Sequence, residues 1–220
     1  MTAALSGPML PPRAGGAPGQ AMVLLHGYGA DGQDLISLGH EWGRLFPGMM
    51  FVSPNAPAPS GAGQGYEWFP IDYERRAETW RNGPRLAAPV LVNFLIDLWA
   101  QTGVAPAQTV LAGFSQGAMM ALHVGTALDR QLAGIIAFSG AFSPADGFGS
   151  GRFARPPVAL VHGVDDMVVE AEHSRAAREA LAAAGFDVSL HLSPGTGHGI
   201  APDGLEFATA FLARQLGNRP

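Results

Sequence analysis

The chain has 220 residues, a net charge of −5 at pH 7 and no cysteine. This length fits one domain with one core. The thirteen basic residues form no stripe that could neutralise a run of phosphates, so we expect no nucleic-acid partner. The absence of cysteine excludes disulfides, thiolate metal sites and a cysteine nucleophile.

Hydropathy gives no indication of a targeting or membrane-spanning segment. Residues 1–19 lack a basic start followed by an apolar stretch, and the longest apolar segment, 87–100, is interrupted by Asn93 and Asp97. We therefore expect a cytoplasmic protein without stable membrane insertion.

Apolar runs alternate with segments of helical periodicity. The runs, which end in Gly, Ser, Pro or His, predict buried strands over residues 21–25, 49–52, 109–112, 134–138, 158–161 and 188–192. Apolar residues at helical spacing predict helices over residues 89–101, 118–128, 171–184 and 204–216. This alternation predicts a single α/β domain over residues 1–220, with a mostly parallel sheet covered by helices on both faces.

Two segments fall outside this pattern. Residues 1–20 are dominated by Pro, Gly and Ala, and we expect a frayed strand or a hairpin there. Residues 54–86 are expected to form a long irregular insertion, and their aromatic content indicates a loop packed over the carboxyl edge of the sheet. The aromatic residues are Tyr66, Trp68, Phe69, Tyr73 and Trp80.

The third predicted strand runs into Gly113-Phe114-Ser115-Gln116-Gly117, and a predicted helix follows directly. A strand, a sharp turn and a helix around Gly-x-Ser-x-Gly are typical of a strained turn that lifts a serine hydroxyl above the sheet. The helix N-terminus then directs its N–H groups towards a developing anion. Ser115 is therefore the candidate nucleophile.

A serine hydroxyl needs a general base, and that base needs an acid to orient it. The fold that uses this turn supplies them in the order Ser, Asp, His. His198 follows the last predicted strand in a Gly-rich loop, which favours it as the base, whereas His123, His173 and His191 lie within predicted elements. The acid is expected after the strand 158–161, where spacing leaves Asp165 and Asp166 open.

Hydrolysis also needs two N–H donors for the tetrahedral oxyanion. The first candidate is the backbone N–H of Gln116, the residue after the nucleophile. The second is expected from the loop 26–29 after the first predicted strand, with the Tyr28 N–H as the best-placed group.

The same loop offers an alternative, because Gly27, Gly29 and Gly32 match the dinucleotide-binding pattern G-x-G-x-x-G of an oxidoreductase. No acidic residue stands about 20 positions further on to bind a ribose. Asp31 would also repel a pyrophosphate. We therefore interpret these glycines as letting the backbone approach a reacting carbonyl.

Five motifs occur together along the chain. They are Leu25-His26-Gly27-Tyr28-Gly29, Pro54-Asn55-Ala56-Pro57, Gly113-Phe114-Ser115-Gln116-Gly117, His162-Gly163 with Asp166 and Val168-Val169, and Gly197-His198-Gly199. In order and spacing they resemble the small carboxylesterase, lysophospholipase and acyl-protein thioesterase family of α/β-hydrolases. The resemblance covers nearly the whole chain.

The resemblance implies an α/β-hydrolase fold and assigns the acid to Asp166 rather than Asp165. It also implies that Ser115 and His198 are nucleophile and base and that Tyr28 and Gln116 form the oxyanion hole. It further implies a loop near the acyl pocket at Trp68, so we expect Trp68 and Phe69 to bind substrate.

The expected activity is that of a serine carboxylesterase that hydrolyses short- to medium-chain esters through an acyl-Ser115 intermediate. Its partner would be a small-molecule ester, with no metal and no organic cofactor. A lysophospholipase or an acyl-protein thioesterase using the same residues is an alternative. A non-catalytic relative that only binds ligand is another, but it would not need Ser115, Asp166 and His198 together. The sequence leaves a homodimer open.

Overall fold

The computed structural model describes residues 5–61, 63–72, 74 and 76–217. Its centre is a seven-stranded sheet in the order β1-β3-β2-β6-β7-β8-β9, in which β1 is antiparallel to its neighbour and the other strands are parallel. The strands of this sheet are β1 (Met9–Leu10), β2 (Gln20–Leu25), β3 (Met49–Val52), β6 (Thr109–Phe114), β7 (Gly134–Phe138), β8 (Val158–Gly163) and β9 (Val188–Ser193). A separate antiparallel pair consists of β4 (Ala58–Pro59) and β5 (Tyr66–Glu67).

Five α-helices and one short 3-10 helix connect the strands in the described part of the chain. They are α1 (Gly32–Leu45), α2 (Arg76–Thr102), the 3-10 helix Pro106–Gln108, α3 (Gln116–Gly125), α4 (Glu172–Ala183) and α5 (Pro202–Leu216). One face of the sheet packs against α2, α3 and α4 through residues such as Leu91 and Leu181, and the other against α1 and α5 through Trp42 and Phe211. No described helix is long and apolar enough to cross a membrane.

The predicted α/β architecture is confirmed, since all six predicted strands are present and mutually parallel. The helix α1 was not predicted, because Gly39 and Gly43 interrupt its apolar stripe. The structure gives the reason for Gly39: a Cβ there would lie 2.9 Å from side-chain atoms of Leu10 and Phe51. The glycine lets α1 pack closely against the sheet.

The prediction of an irregular segment over 54–86 is wrong for residues 76–86, which form the first turns of α2. Pro84 and Pro89 lie inside this helix, and proline normally ends or kinks a helix, so the sequence placed its start too late. The remainder of the segment contains the β4–β5 pair. Tyr73 lies outside the described residues.

The N-terminal residues 5–19 form neither a long strand nor a hairpin of their own. Within this described stretch the only strand is the two-residue β1, which pairs with β3 at the edge of the main sheet. The expectation of a frayed strand or a hairpin over residues 1–20 stays a prediction, because residues 1–4 lie outside the described part of the chain.

Candidate active site

Ser115 lies in a crowded turn between β6 and α3. Its backbone has φ 53° and ψ −116°, a strained conformation for a residue with a side chain. A Cβ on Gly113 would lie 2.3 Å from the carbonyl oxygen of Gly117, and a Cβ on Gly117 would lie 2.0 Å from that of Leu25. Both motif glycines are therefore required by contact between backbones.

The structure brings Ser115, His198 and Asp166 into one hydrogen-bonded chain. His198 Nδ1 lies 2.6 Å from Asp166 Oδ2, and His198 Nε2 lies 3.0 Å from Ser115 Oγ. A carboxylate only accepts, so Nδ1 carries the proton, and Nε2 is left to accept the serine O–H. Asp165, the other acid considered, is exposed and its side chain makes no such contact among the described residues.

The Asp166 carboxylate is buried and held ionised. Its Oδ1 accepts the backbone N–H groups of Val168 at 2.8 Å and Val169 at 2.9 Å. Burial alone would raise its pKa, but the hydrogen bonds from His198, Val169 and Val168 together outweigh it, so the pKa lies below its ordinary value. Asp166 is thus a fixed negative charge facing the imidazole.

A second histidine, His162, supports the acid and was not recognised from the sequence. Its Nε2–H donates to the Val169 carbonyl at 2.7 Å and lies 3.3 Å from Asp166 Oδ2, while its Nδ1 accepts from Ser174 Oγ at 2.6 Å. Burial lowers the pKa of His162 against the opposing effects of Val169 and Asp166, so the ring is neutral. The sequence feature that could have indicated this role is the His-Gly pair at the end of a predicted strand.

The loops that carry Asp166 and His198 are joined through their backbones. The N–H groups of Val164 and Asp165 donate to the carbonyls of Ser193 at 3.0 Å and Thr196 at 2.9 Å. A Cβ on Gly163 would lie 2.3 Å from the Thr196 and Gly197 carbonyl oxygens. The distance between acid and imidazole is therefore set by main-chain contacts.

Gln116 begins α3, where a helix provides no acceptor for the backbone N–H. Its side chain holds the aromatic loop, because Oε1 accepts from Trp68 N at 2.8 Å and Nε2 donates to the Phe69 carbonyl at 2.7 Å. Tyr28 lies in the same cavity wall as Ser115. A Cβ on Gly27 would lie 3.4 Å from Ser115 Cβ, so the two loops touch.

His26 holds the loop that carries Tyr28, another role that the sequence did not reveal. Its Nδ1–H donates to the Gly27 carbonyl at 2.7 Å, and its Nε2 accepts from Ala56 N at 2.9 Å. Trp68 Nε1 donates to the His26 carbonyl at 3.0 Å. Burial lowers the pKa of His26, which keeps this ring neutral.

The loop 27–32 does not have the form of a dinucleotide site. The N–H of Gly29 donates to the Tyr66 carbonyl, that of Gly32 to Asn55 Oδ1 and that of Gln33 to Asp31 Oδ1. These groups are the ones a pyrophosphate would need. The glycines instead permit close backbone contact: a Cβ on Gly32 would lie 2.0 Å from the Ser53 carbonyl oxygen.

The three other histidines considered lie away from Ser115. His123 is buried in α3 and donates to the Ser143 carbonyl, and burial lowers its pKa. His173 packs edge-to-face on Trp80, and His191 pairs with Asp203.

A cavity of about 210 Å³ opens beside Ser115. Its apolar walls come from Ile71, Trp80, Phe114, Met119, Val168 and Val169. Trp68 and Phe69, expected at the substrate, do not line this cavity. Both are buried, and they line a neighbouring apolar groove of about 640 Å³ that shares Ile71 with the cavity.

The parallel sheet, the strained serine turn after β6 and the Asp and His on later strand-end loops are those of an α/β-hydrolase. The chain belongs to the phospholipase/carboxylesterase family, whose model matches residues 13–216. The resemblance seen in the sequence is confirmed.

Individual relatives agree with this assignment. The chain is 32% identical over 196 residues to esterase YpfH of Escherichia coli K12, covering 88% of this chain and 82% of that protein. It is 30% identical over 214 residues to acyl-protein thioesterase 1 of Gibberella zeae, covering 89% and 90%. The crystal structure of esterase PE8 matches with a TM-score of 0.93 at 52% identity, covering 97% and 100%. The protein is thus a hydrolase of the esterase and thioesterase family.

Proposed function

We propose that the protein is a carboxylesterase that hydrolyses short- to medium-chain esters through an acyl-Ser115 intermediate. The observation that carries the proposal is the unbroken chain of hydrogen bonds from Asp166 through His198 to Ser115 Oγ. It gives the hydroxyl an adjacent base and gives that base a buried, ionised partner.

In the proposed reaction, Ser115 Oγ attacks the ester carbonyl carbon while His198 Nε2 takes its proton. The Asp166 carboxylate stabilises the imidazolium that forms. When the tetrahedral intermediate collapses, the bond to the leaving alkoxide breaks and His198 returns the proton to it. Water, deprotonated by the same imidazole, then attacks the acyl-enzyme, and the acid leaves with Ser115 regenerated.

The negative charge of each tetrahedral intermediate is assigned to the backbone N–H groups of Tyr28 and Gln116. The position of Gln116 at the start of α3 supports this role, because the helix dipole and the unused N–H both favour an anion there. Trp68 connects the Tyr28 loop to the turn of Ser115, because its Nε1–H donates to the His26 carbonyl and its backbone N–H donates to Gln116 Oε1.

We assign the acyl chain to the apolar groove beyond Ile71, with Trp68 and Phe69 in its wall. A groove of about 640 Å³ exceeds what a short acyl group needs, so medium chains should also fit. A thioester would meet the same attack geometry, and a relative 30% identical is named acyl-protein thioesterase 1. An acyl thioesterase activity is therefore the second candidate.

The test is a series of 4-nitrophenyl esters with acyl chains of increasing length, together with acyl thioesters and a lysophospholipid, on the wild type and Ser115→Ala. We expect the highest kcat/KM on esters and a loss of about 10⁴-fold or more in Ser115→Ala. The melting temperature of the variant should stay near that of the wild type.

Each result discriminates between the candidates. A higher kcat/KM on thioesters or lysophospholipid than on esters of the same chain length would replace the proposed substrate class. Full activity of Ser115→Ala would overturn the mechanism. Binding of esters without turnover by the wild type would identify a non-catalytic member of the family.

A further inference from the structure

A larger cleft of about 930 Å³ adjoins the Ser115 cavity, between the first turns of α2 and the loops that follow β7 and β8. The two spaces share Arg76, Trp80 and Val168 in their walls. A molecule with its carbonyl carbon at Ser115 can therefore extend into the cleft. The apolar groove adjoins the cavity through a different residue, Ile71.

Positive charge is concentrated at this cleft. All thirteen basic residues of the chain are arginines, and four of them stand at positions 75, 76, 81 and 85. Arg76, Arg81 and Arg85 line the cleft, while Arg75 lies outside the described residues. Arg81 and Arg85 are four residues apart on α2 and so share one helix face.

Arg81 and Arg85 form no ion pair within the described part of the chain, whereas the exposed Arg44 and Arg175 each pair with a glutamate. The facing wall carries Asp146 and Glu170, and neither carboxylate pairs with Arg81 or Arg85 among the described residues. The guanidinium groups of Arg81 and Arg85 therefore remain available to an anion in the cleft.

The walls of the cleft are fixed to each other before any ligand arrives. Ser143, in the loop after β7, donates from Oγ to the Arg81 carbonyl at 2.6 Å. Its own carbonyl accepts from the buried ring of His123 at 2.7 Å. A preformed wall reduces the ordering cost of binding.

We propose that this cleft receives the leaving-group part of the substrate and that Arg81 and Arg85 bind a carboxylate or phosphate on it. The proposal rests on the proposed ester hydrolysis and narrows its substrate class to esters with an anionic leaving group. An ester has an acyl part and an alcohol part, and the cavity adjoins both an apolar groove and an arginine-lined cleft through different wall residues. Guanidinium groups suit both anions because they donate two parallel hydrogen bonds.

The test compares butanoate esters of phenols that carry an anionic or a neutral substituent. The anionic substrates are the butanoates of 4-hydroxybenzoate and of hydroquinone monophosphate, and the neutral one is the butanoate of 4-hydroxybenzamide. The measured quantity is the ratio of kcat/KM for each anionic ester to that for the neutral ester. This ratio is taken in the wild type, Arg81→Gln, Arg85→Gln and the double variant, with Arg44→Gln on α1 as the control.

We expect the ratio to fall about fivefold in each single variant and about twentyfold in the double variant, because exposed charge-assisted contacts are of this strength. Arg44→Gln should leave it unchanged, and added salt should lower it in the wild type. The anionic ester whose ratio falls further in the double variant identifies carboxylate or phosphate as the preferred anion.

An unchanged ratio in the double variant, with normal hydrolysis of the neutral ester, would overturn the anionic leaving-group proposal alone. Absence of hydrolysis of all three esters by the wild type would instead overturn the proposed function. An equal fall in Arg44→Gln would attribute the effect to net charge and would also contradict the cleft proposal.

Discussion

At the carboxyl edge of the sheet, the groups around Ser115 stand on short loops whose backbones are in close contact with each other. The first turns of α2 instead present exposed side chains to the surrounding cavities. On the sheet side, a Cβ at Gly113, Gly117 or Gly163 would lie within about 2.3 Å of a carbonyl oxygen. On the helix side, Arg81, Arg85 and Leu86 are exposed. The groups around Ser115 are thus fixed in place, while the side chains that line the surrounding spaces are open to substitution.

The largest effect on stability should come from Gly117→Ala on the sheet side. The new Cβ would lie 2.0 Å from the Leu25 carbonyl oxygen, and neither backbone can move aside without separating β2 from α3. We expect the free energy of unfolding to fall by about 3 kcal/mol or more and kcat/KM to fall over about 100-fold. Urea denaturation and ester kinetics measure both.

The matched control is Gly48→Ala, where no atom lies within 4 Å of the new Cβ. Its stability should change by less than about 0.5 kcal/mol. If the two variants lose the same stability, backbone crowding does not fix the serine turn. The proposed difference between the serine loops and the first turns of α2 would then be wrong.

Buried histidines support both regions, and they link stability to pH. Burial lowers the pKa of His26, His123 and His162 in the folded state. Below the ordinary histidine pKa of about 6.5, the unfolded chain binds protons that the folded chain does not, so stability is lost as pH falls. The slope is limited to about 1.4 kcal/mol per pH unit for each ring, a limit reached only where the ring is protonated in the unfolded chain and neutral in the folded one.

Urea denaturation between pH 7.5 and pH 5 measures this slope. His123→Asn retains a donor for the Ser143 carbonyl and should reduce the slope, by at most about 1.4 kcal/mol per pH unit. An identical slope in the variant would show that the ring of His123 is protonated in the folded protein, contrary to its buried position.

The smallest effect on stability is expected on the helix side, in Leu86→Ser. Leu86 is 72% exposed and lines the apolar groove, so the free energy of unfolding should change by less than about 0.5 kcal/mol. The ratio of kcat/KM for an octanoate to that for an acetate ester should nevertheless fall about fivefold. Ile96→Ser, exposed on the same helix but outside the groove, is the control. A similar fall of this ratio in both variants would show that Leu86 does not set the preference for acyl chain length.

The sequence predicted the sheet and the serine turn because each depends on local patterns. Buried parallel strands read as short apolar runs, and the glycines around Ser115 are required within a single turn. The helix α1 was missed because the glycine that packs it against Phe51 looks like a helix breaker in isolation. The start of α2 was placed late because Pro84 and Pro89 are accommodated within its backbone.

The supporting residues of the site were harder to recognise because their partners lie far along the chain. His26 and His162 both precede a glycine at a strand end, and each holds a loop that contacts Ser115 or Asp166. That repeated His-Gly pair is a sequence feature, but only the structure connects it to Ala56 and Ser174. The cleft likewise joins α2 to loops more than 50 residues away, such as that of Ser143.

The placement of α2 has a consequence for protein engineering. Residues 76–87 contribute walls to the Ser115 cavity, the apolar groove and the arginine-lined cleft, and Asn82 stands between the last two. One continuous stretch of twelve residues therefore lines all three spaces around Ser115. Replacing this stretch with the corresponding one from another family member should therefore change the substrate preference. The sheet and its loops would keep their original sequence.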